Sequence, residues 1–381
     1  MKRVASMVVT AGVMALCFSA QGASAQATYT LKAMPKTVAW GYYDAKEVPS
    51  QQSTGKPPAM PPAFATIKNT KEFNAVQFGQ GNTFAILKTP PEFQLDGFAI
   101  SGDGKLLAMG WGSGKIDLWD LQKKKRIGDF KSEVGGPGEM KFDSTANHLL
   151  VTGSSGKFAF LEIPKGKKSR AFVIPLGKYK YDIQQVVLDP SGRWLAYADE
   201  ESSKVLDLST DPPKSIADLQ DACSVSLSLD GTELWTVSRT QLTAYSTTTW
   251  EVIGHWPLKS PPVATASVRL RTGVSKDGAR VVAVPSSNGL VIYRGPGMDG
   301  SYATDKSTTT VAFAAASRIY VNLGLGLTLV NSEGAASCKR SLQGWSGYDV
   351  SEDGQWIAVA QTNSVSVWRM DDLLRDCEAG R

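Results

Sequence analysis

Histidine, the commonest general base and a frequent metal ligand, occurs only twice in this 381-residue chain, as His148 and His255. The two are far apart in sequence, and neither has the Cys/His spacing of a zinc site. A Ser-His-Asp triad would need one of them. The local pattern assigns His148 to the start of a strand and His255 to an outer strand, so both are predicted to be structural or surface residues.

Short Gly/Ser motifs also fail to match catalytic patterns. Residues 153–156 and 344–347 lack the spacing of a nucleophile elbow, and no helix follows them. Residues 166–169 lack the upstream glycine of a phosphate-binding loop. The acidic run 199–201 leaves a calcium site open, although it lacks the alternating carboxylates of a calcium loop. We expect no metal and no cofactor.

The elements that would position any site come from a repeat of about 40 residues, the period of a four-stranded propeller blade. Each copy has an apolar strand, a tight turn, a second apolar strand and a third strand; residues 98–121 are the clearest example. The turn glycine or its equivalent falls near positions 104, 146, 192, 231, 278, 316 and 354. Asp-Gly supplies the positive φ of such turns, and period-two alternation indicates strands. The sequence predicts an all-β fold.

Three phrases resemble the WD-repeat family: residues 189–196, 116–120 and 365–368. The Gly-His dipeptide of eukaryotic members is missing from every copy of the repeat phrase, so the chain is similar to the divergent bacterial branch, the YVTN/quinoprotein-like superfamily. The resemblance covers about 270 residues and implies a seven-bladed β-propeller with WD-like four-stranded blades. It is specific for fold and unspecific for function.

Ring closure follows from the last copy, residues 348–370, which provides only three strands. An orphan strand, Thr83–Lys88, is expected to complete the last blade, because closure removes two exposed sheet edges. The predicted domains are the propeller at 64–371 and a C-terminal tail at 372–381.

The chain opens with a basic start, an apolar run and an Ala-x-Ala site, which together predict a signal peptide at 1–25 and a periplasmic or secreted protein. No stretch is long enough for a membrane span. Residues 26–63 read as an N-terminal arm and Pro-rich linker. Within it, residues 29–44 resemble the opening of exported acetamidase/formamidase proteins. The catalytic body of that family has no counterpart here, so no amidase role is implied.

Net charge and cysteine content limit the classes of partner and the compartment that the sequence supports. Loss of Lys2 and Arg3 with the leader leaves 39 basic against 36 acidic side chains, too even a balance to indicate nucleic acid. Cys338 and Cys377 are the expected disulfide in an oxidising compartment. Cys223 reads as a small buried residue.

Aromatic residues carry the binding hypothesis. Five tryptophans on repeat strands are expected to pack between blades: Trp119, Trp194, Trp235, Trp356 and Trp368. Other aromatic residues, with one arginine, fall in or beside loops of one face and are the candidate partner anchors: Trp111, Tyr179, Tyr181, Arg239, Trp345 and Tyr348.

The sequence therefore predicts an exported, monomeric, non-catalytic scaffold that binds a protein or peptide. Two alternatives stay open. One is a propeller-type lactonase or quinoprotein-like enzyme with a metal or cofactor in its central channel. The other is a carbohydrate- or polymer-binding module that uses the loop aromatics.

Overall fold

The computed structural model describes the strands and many of the turns that join them. The described residues are 27–30, 37–40, 64–69, 74–80, 83–89, 95–132, 134–153, 158–163, 171–174, 185–198, 203–228, 231–262, 271–274, 280–286, 289–302, 310–314, 318–323, 326–331, 336–341, 345–350, 356–361 and 364–369. Side chains are described at 97–132, 134–137, 140–153, 158–163, 186–198, 203–228, 231–262, 280–284, 286 and 290–300.

Within these ranges the strands form eight four-stranded antiparallel sheets, I to VIII. Sheet I contains β2 (Thr37–Trp40), β3 (Phe64–Asn69), β4 (Asn74–Gln80) and β5 (Thr83–Thr89), and sheet II contains β6 (Leu95–Ile100), β7 (Leu106–Trp111), β8 (Lys115–Asp120) and β9 (Lys125–Lys131). Sheet III contains β10 (Pro137–Phe142), β11 (His148–Gly153), β12 (Phe158–Glu162) and β13 (Ala171–Ile174), and sheet IV contains β14 (Gln185–Leu188), β15 (Trp194–Ala198), β16 (Lys204–Asp207) and β17 (Lys214–Asp218). Sheet V contains β18 (Ser224–Leu227), β19 (Glu233–Val237), β20 (Gln241–Ser246) and β21 (Val252–Pro257), and sheet VI contains β22 (Arg271–Val274), β23 (Arg280–Ser286), β24 (Gly289–Arg294) and β25 (Asp299–Tyr302). Sheet VII contains β26 (Thr310–Ala314), β27 (Arg318–Leu323), β28 (Gly326–Asn331) and β29 (Ala336–Ser341), and sheet VIII contains β30 (Trp345–Val350), β31 (Trp356–Gln361), β32 (Ser364–Arg369) and β1 (Ala27–Thr30).

The first strands of neighbouring sheets lie next to one another. β2 contacts both β6 and β30, β6 contacts β10, and contacts also join β14, β18, β22, β26 and β30 in series. The fourth strands β9, β17 and β21 carry mostly exposed residues, whereas the second strands β7, β15 and β19 are almost wholly buried. The first strands therefore lie inside the assembly and the fourth strands outside, as in a propeller.

The number of sheets and the closing strand differ from the expectation. The described strands form eight sheets rather than seven, because residues 37–89 make sheet I without the Asp-Gly phrase that marks the other repeats. Thr83–Lys88, expected to complete the last blade, lies in β5 at the edge of sheet I. The strand that completes sheet VIII is β1, whose four residues pair with β32.

Two strands come from the segment expected to be an arm and linker, since β1 and β2 both lie within residues 26–63. The predicted leader, residues 1–25, and the predicted tail, residues 372–381, lie outside the described residues. Among the residues that are described, no helix is long and apolar enough to cross a membrane.

The tight turns between first and second strands have the backbone that the repeat predicts. Positive φ occurs at Gly104 (69°), Ala146 (56°), Gly192 (71°) and Gly231 (70°), one residue in each of sheets II to V. All four positions were expected from the spacing. The remaining positions near 278, 316 and 354 lie outside the described residues.

A serine or aspartate at the end of each first strand closes the same four turns, because its oxygen accepts main-chain N–H groups that no strand partner reaches. The bonds run from Leu106 N–H to Ser101 Oγ (2.9 Å), Asn147 N–H to Asp143 Oδ1 (2.9 Å), Arg193 N–H to Asp189 Oδ2 (3.1 Å) and Glu233 N–H to Ser228 Oγ (2.9 Å). Sequence and local structure agree in these four turns of sheets II to V.

Ala146 is the one non-glycine among these turn residues, and replacing it by Gly is expected to stabilise the fold by about 0.5–1 kcal/mol. An L-residue in the left-handed region costs roughly 1 kcal/mol, which glycine does not incur. The reverse change in the next sheet, Gly192→Ala, should cost about 2 kcal/mol. A Cβ there would lie 2.8 Å from His148 Nδ1 at a φ of 71°. Urea unfolding measures both, and a destabilised Ala146→Gly variant would contradict the assignment.

The apolar core is divided among the interfaces between neighbouring sheets. Between sheets II and III it contains Ala99, Ala108, Ile116, Leu118, Met140, Phe142, Leu149, Val151, Ala159 and Leu161. Between sheets V and VI it contains Trp235, Val237, Leu242, Ala244, Val282, Val284, Val291, Tyr293 and Met298. Each pair of neighbouring sheets from II to VI, where side chains are described, shares such a core, so these sheets depend on one another for burial.

Tryptophans fill these interfaces, as the repeat predicts. Trp194 is 6% exposed and meets Trp250 edge-on, with ring centroids 5.0 Å apart. Trp235 is 2% exposed and stacks on Trp256 at 5.5 Å. Trp119 is half-buried against the core of sheet II. The side chains of Trp356 and Trp368 lie outside the described set.

Candidate functional site

The turns of the sheets gather at two ends of the fold. Turns between second and third strands and connections to the next sheet share one end, here named the connection face. Turns between first and second strands and between third and fourth strands share the other end, the turn face. The residues predicted to anchor a partner were assigned to loops of the connection face. The structure describes that face at residues 112–114, 134–136, 219–223, 238–240 and 258–262.

Trp111, expected to be a surface anchor, is instead buried. It is the last residue of β7, only 3% exposed, and packs with Leu107 and Met109. Its position follows from the period of two, which puts residues 107, 109 and 111 on the same face of the strand. The indole Nε1 donates to Asp117 Oδ2 at 2.9 Å. This side chain stabilises sheet II and offers no surface to a partner.

Asp117 is the buried charge that this tryptophan helps to hold. Its Oδ1 lies 3.1 Å from Lys115 Nζ and 3.0 Å from Arg126 Nε. These contacts are ion pairs rather than well-aligned hydrogen bonds, since no donor meets Oδ1 at a hydrogen-bonding angle. Two cations at this range compensate a carboxylate that is only 8% exposed. The cluster is structural, and Lys115 and Arg126 are occupied in it.

Arg239, by contrast, is exposed, at the turn between β19 and β20. Ser238 N–H donates to Gln241 O at 2.8 Å, and Gln241 N–H donates to Ser238 Oγ at 3.0 Å. The turn is thus closed by one main-chain bond and one side-chain cap. Its backbone is fixed, while the guanidinium keeps its donors for a ligand.

Two connections fix this turn from either side. Cys223 N–H donates to Val237 O at 2.7 Å, and Leu258 N–H donates to Thr240 O at 2.8 Å. The connection between sheets IV and V and that between sheets V and VI are therefore both bonded next to the turn. We name residues 219–223, 238–241 and 258–262 the Arg239 site.

The Arg239 site has a polar composition. Its exposed side chains include Gln220, Asp221, Arg239 and Gln241. A planar guanidinium beside amide groups suits a carboxylate or main-chain carbonyl of another chain, because it donates two parallel hydrogen bonds. Of these exposed residues, only Arg239 was predicted from the sequence. The Ser-x-x-Gln spacing of 238–241 is the signal that would have located the rest of the turn.

Tyr245 is a buried residue that contacts the connection between sheets IV and V. It is 5% exposed. Burial raises the pKa of its hydroxyl. Hydrogen bonds with the Gln220 main chain and the Thr236 side chain lower this pKa by a smaller amount, so the pKa is raised overall. The phenol therefore stays neutral and holds Gln220 in place. A rigid backbone reduces the entropy lost on binding.

Neither histidine is part of the Arg239 site. His148 Nδ1 is 2.7 Å from Asp143 Oδ2, and the ring stacks on Phe160 with centroids 4.8 Å apart. Next to this pair, Ser144 N–H donates to Pro190 O at 2.8 Å and joins sheet III to sheet IV. The Asp–His pair therefore braces two sheets at the turn face. His255 is exposed on β21, opposite Thr243.

The other candidate residues fall where side chains are not described. Tyr179, Tyr181 and Cys377 lie outside the described residues, while Trp345 and Tyr348 lie in β30 and Cys338 in β29. Their roles, and the disulfide, stay predictions. Cys223 is half-buried rather than buried, with Sγ 3.8 Å from Asp221 O. It precedes β18 instead of lying in a strand.

Metal coordination was tested on the described part of the chain. There, His, Cys, Asp and Glu side chains form no group of three or more that could hold a metal ion. The acidic run 199–201 lies outside the described residues, so the calcium site stays a hypothesis.

Fold and site together define the chain as a β-propeller with a structured polar site on its connection face. A chain in the crystal structure of the mitotic checkpoint complex is similar at a TM-score of 0.52 and 12% identity, over 97% of this chain and 98% of that one. The β-propeller domain of Myceliophteria thermophila Cps50 (Swd1) is similar at a TM-score of 0.51 and 13% identity, over 73% of this chain and 97% of that one.

At these identities the likeness establishes the fold, and it supports the WD-like propeller expected from the repeat phrases. No protein-family model matches the chain, and no curated protein matches its sequence. Function must therefore be argued from the site.

Proposed function

We propose that this protein is an exported, non-catalytic propeller that binds a protein or peptide partner through its connection face. The observation that carries the proposal is the Arg239 site, an exposed cation on a turn fixed between two bonded connections. Arginine held in a rigid setting is a frequent centre of protein interfaces. A similar structure belongs to a chain of a multi-protein complex.

The propeller is proposed to be a closed ring of eight blades. Support comes from β2, which contacts both β30 and β6, and from the pairing of β1 with β32. A closed ring has no terminal sheet with an exposed face, and it fixes the connections of all blades at one end.

Export is proposed from the leader at 1–25. Cleavage after Ala25 would leave a mature chain whose second residue begins β1. A disulfide between Cys338 and Cys377 would then tie β29 to the C-terminal tail in an oxidising compartment.

The test of binding compares two exposed arginines at opposite ends of the fold. Immobilised wild-type protein is incubated with an extract of the compartment to which it is exported, and captured proteins are cross-linked and identified. For the partner found, Arg239→Ala is expected to weaken binding roughly 30-fold, the effect of losing about 2 kcal/mol at an interface centre. Arg193→Ala, at the turn face, should bind as the wild type does.

Equal affinity of the two variants would show that the partner does not use the Arg239 site. Substrate turnover by the wild-type protein, with retention of activity in Arg239→Ala, would favour the enzyme alternative. Melting temperatures of both variants within about 2 °C of the wild type exclude misfolding, as expected for exposed residues.

A further inference from the structure

The end of sheet II at the turn face carries a cluster of lysines. Two turns form it, residues 101–105 between β6 and β7 and residues 120–125 where β8 joins β9. Leu121 N–H donates to Lys105 O at 2.8 Å, so the two turns are bonded to each other. We name these two turns the sheet II tip. It contains four lysines and two aspartates, Lys105, Lys123, Lys124, Lys125, Asp103 and Asp120, and its net charge is therefore positive.

The two aspartates are occupied within their own turns. Asp103 Oδ1 accepts the Lys105 N–H at 3.0 Å, and its Oδ2 lies 2.9 Å from the Lys105 ammonium. Asp120 Oδ1 accepts the Lys123 N–H at 2.8 Å, and its Oδ2 lies 3.2 Å from the Lys123 ammonium. The carboxylates thus close the turns and compensate these two lysines.

Lys124 and Lys125 carry the charge that remains. Both side chains are exposed, and neither forms an ion pair with a carboxylate of the described residues. The next residue, Arg126, is occupied by Asp117 at 3.0 Å and by Asp129. The tip therefore presents ammonium groups, which act as point charges, and not the guanidinium fork that recognises a single planar anion.

Packing does not explain the lysine at position 124. In sheets II, V and VI, the turn between third and fourth strands has a positive φ at its last or next-to-last residue. In sheet V this residue is Trp250 (61°), which meets Trp194 of sheet IV. In sheet VI it is Met298 (48°), which belongs to the core between sheets V and VI. In sheet II it is Lys124 (52°), which keeps this disfavoured backbone while its side chain is exposed.

An exposed apolar residue lies beside these lysines. Ile127 is 50% exposed and lies on β9 two residues after Lys125, about 6–7 Å along the strand. Ile216 has the equivalent position on β17, since neither isoleucine has a partner in the pairing with the third strand. The turn before β17, residues 207–214, contains two aspartates and one lysine. Apolar and basic groups are thus combined at sheet II, as on protein surfaces that lie in a bilayer interface.

We propose that the sheet II tip, together with Ile127, docks on the surface of an anionic phospholipid bilayer. The negative charge of such a surface is spread over many headgroups, so lysines can bind it without a cleft. The isoleucine gains contact with the apolar boundary beneath the headgroups, which a soluble polyanion does not offer. The tip lies at the turn face, so a docked protein keeps its connection face accessible. The proposal is independent of partner binding at the Arg239 site.

Co-sedimentation with vesicles in about 0.1 M salt tests the lysines. The mature protein should bind vesicles of equal parts phosphatidylglycerol and phosphatidylcholine but not phosphatidylcholine alone, and about 0.5 M salt should release it. Lys124→Gln and Lys125→Gln should each weaken binding roughly fivefold, and together about 25-fold. Lys131→Gln is the matched control, because it removes the same charge at the other end of β9. That end is about 20 Å away, beyond the Debye length of about 10 Å, so binding should stay within about twofold of the wild type.

Two isoleucine variants distinguish a bilayer from a soluble polyanion. Ile127→Ser should weaken vesicle binding at least about threefold, while Ile216→Ser should leave it unchanged. Inorganic polyphosphate offers charge without an apolar boundary, so it should not distinguish Ile127→Ser from the wild type.

Several outcomes would overturn the proposal. They are equal binding to both kinds of vesicle, wild-type vesicle binding by Ile127→Ser, or a double lysine variant within about twofold of the wild type. Wild-type binding to polyphosphate without binding to vesicles would assign the tip to a soluble polyanion instead. Melting temperatures within about 2 °C of the wild type show that each variant is folded.

Discussion

A protein that starts at Leu31 is expected to unfold about 3–8 °C below one that starts at Gln26. The shorter protein lacks β1, the strand that completes sheet VIII. Four residue pairs with β32 are lost. If about four ladder bonds disappear at roughly 0.5–1.5 kcal/mol each, the deficit is on the order of 2–6 kcal/mol. β32 would also become an open edge, so aggregation on heating should increase. Calorimetry and light scattering measure the two effects.

A synthetic peptide of residues 26–31 gives the control for this truncation. If β1 acts through pairing alone, the peptide should bind the shortened protein and restore part of its melting temperature. A peptide with Pro in place of both Thr28 and Tyr29 should not, since proline removes ladder donors. Equal melting temperatures of the two starting points would show that β1 does not close the ring.

The repeats with an Asp-Gly or equivalent turn were predictable because turn chemistry and strand period agree in them. Positive φ at Gly104, Ala146, Gly192 and Gly231 is where the spacing placed it. Ala146 was found although it is not glycine, since a 40-residue period locates a turn even where its residue type has changed. The inward tryptophans followed from the same pattern.

Sheet I could not be predicted, for two physical reasons. No Asp-Gly phrase separates β3 from β4, although residues 81–82 between β4 and β5 are Gly-Asn. The proline-rich stretch 41–63 also separates β2 from β3 in sequence. Strand pairing across such an insertion costs little, because loop entropy grows only slowly with length. The 40-residue repeat therefore does not reveal a sheet that the chain can still form.

The candidate site was predictable only in part. Arg239 was identified from its place after Trp235, and the structure puts it in an exposed turn. Trp111 was assigned to a loop of the same face, but β7 extends to Trp111 and buries it. The point at which a strand ends decides whether such a side chain belongs to the core or to a loop, and the sequence pattern does not fix that point. The bonds that fix the Arg239 turn come from Cys223, just before β18, and Leu258, just after β21, and no local pattern encodes them.

Trp235→Ala is expected to destabilise the protein by about 3–5 kcal/mol, the range for removing a buried tryptophan. The indole is 2% exposed and belongs to the core between sheets V and VI. It stacks on Trp256 at 5.5 Å, and its Nε1 donates to Glu233 Oε2 at 3.1 Å. Glu233 also forms an ion pair with Arg280 of sheet VI. One substitution thus opens a cavity and loosens a carboxylate that links two sheets.

The controls separate these contributions. His255→Ala, exposed on β21 beside Trp256, should change the free energy of unfolding by less than about 0.5 kcal/mol. Trp235→Phe keeps most of the volume but loses the Nε1 donor, and it should fall between wild type and Trp235→Ala. Equilibrium urea unfolding provides the measurement. If Trp235→Ala lost less than 1 kcal/mol, sheets V and VI would not depend on the packing described here. If only sheets V and VI unfold in the variant and the remaining sheets stay folded, neighbouring blades unfold separately. This is expected where each repeat contacts only its neighbours.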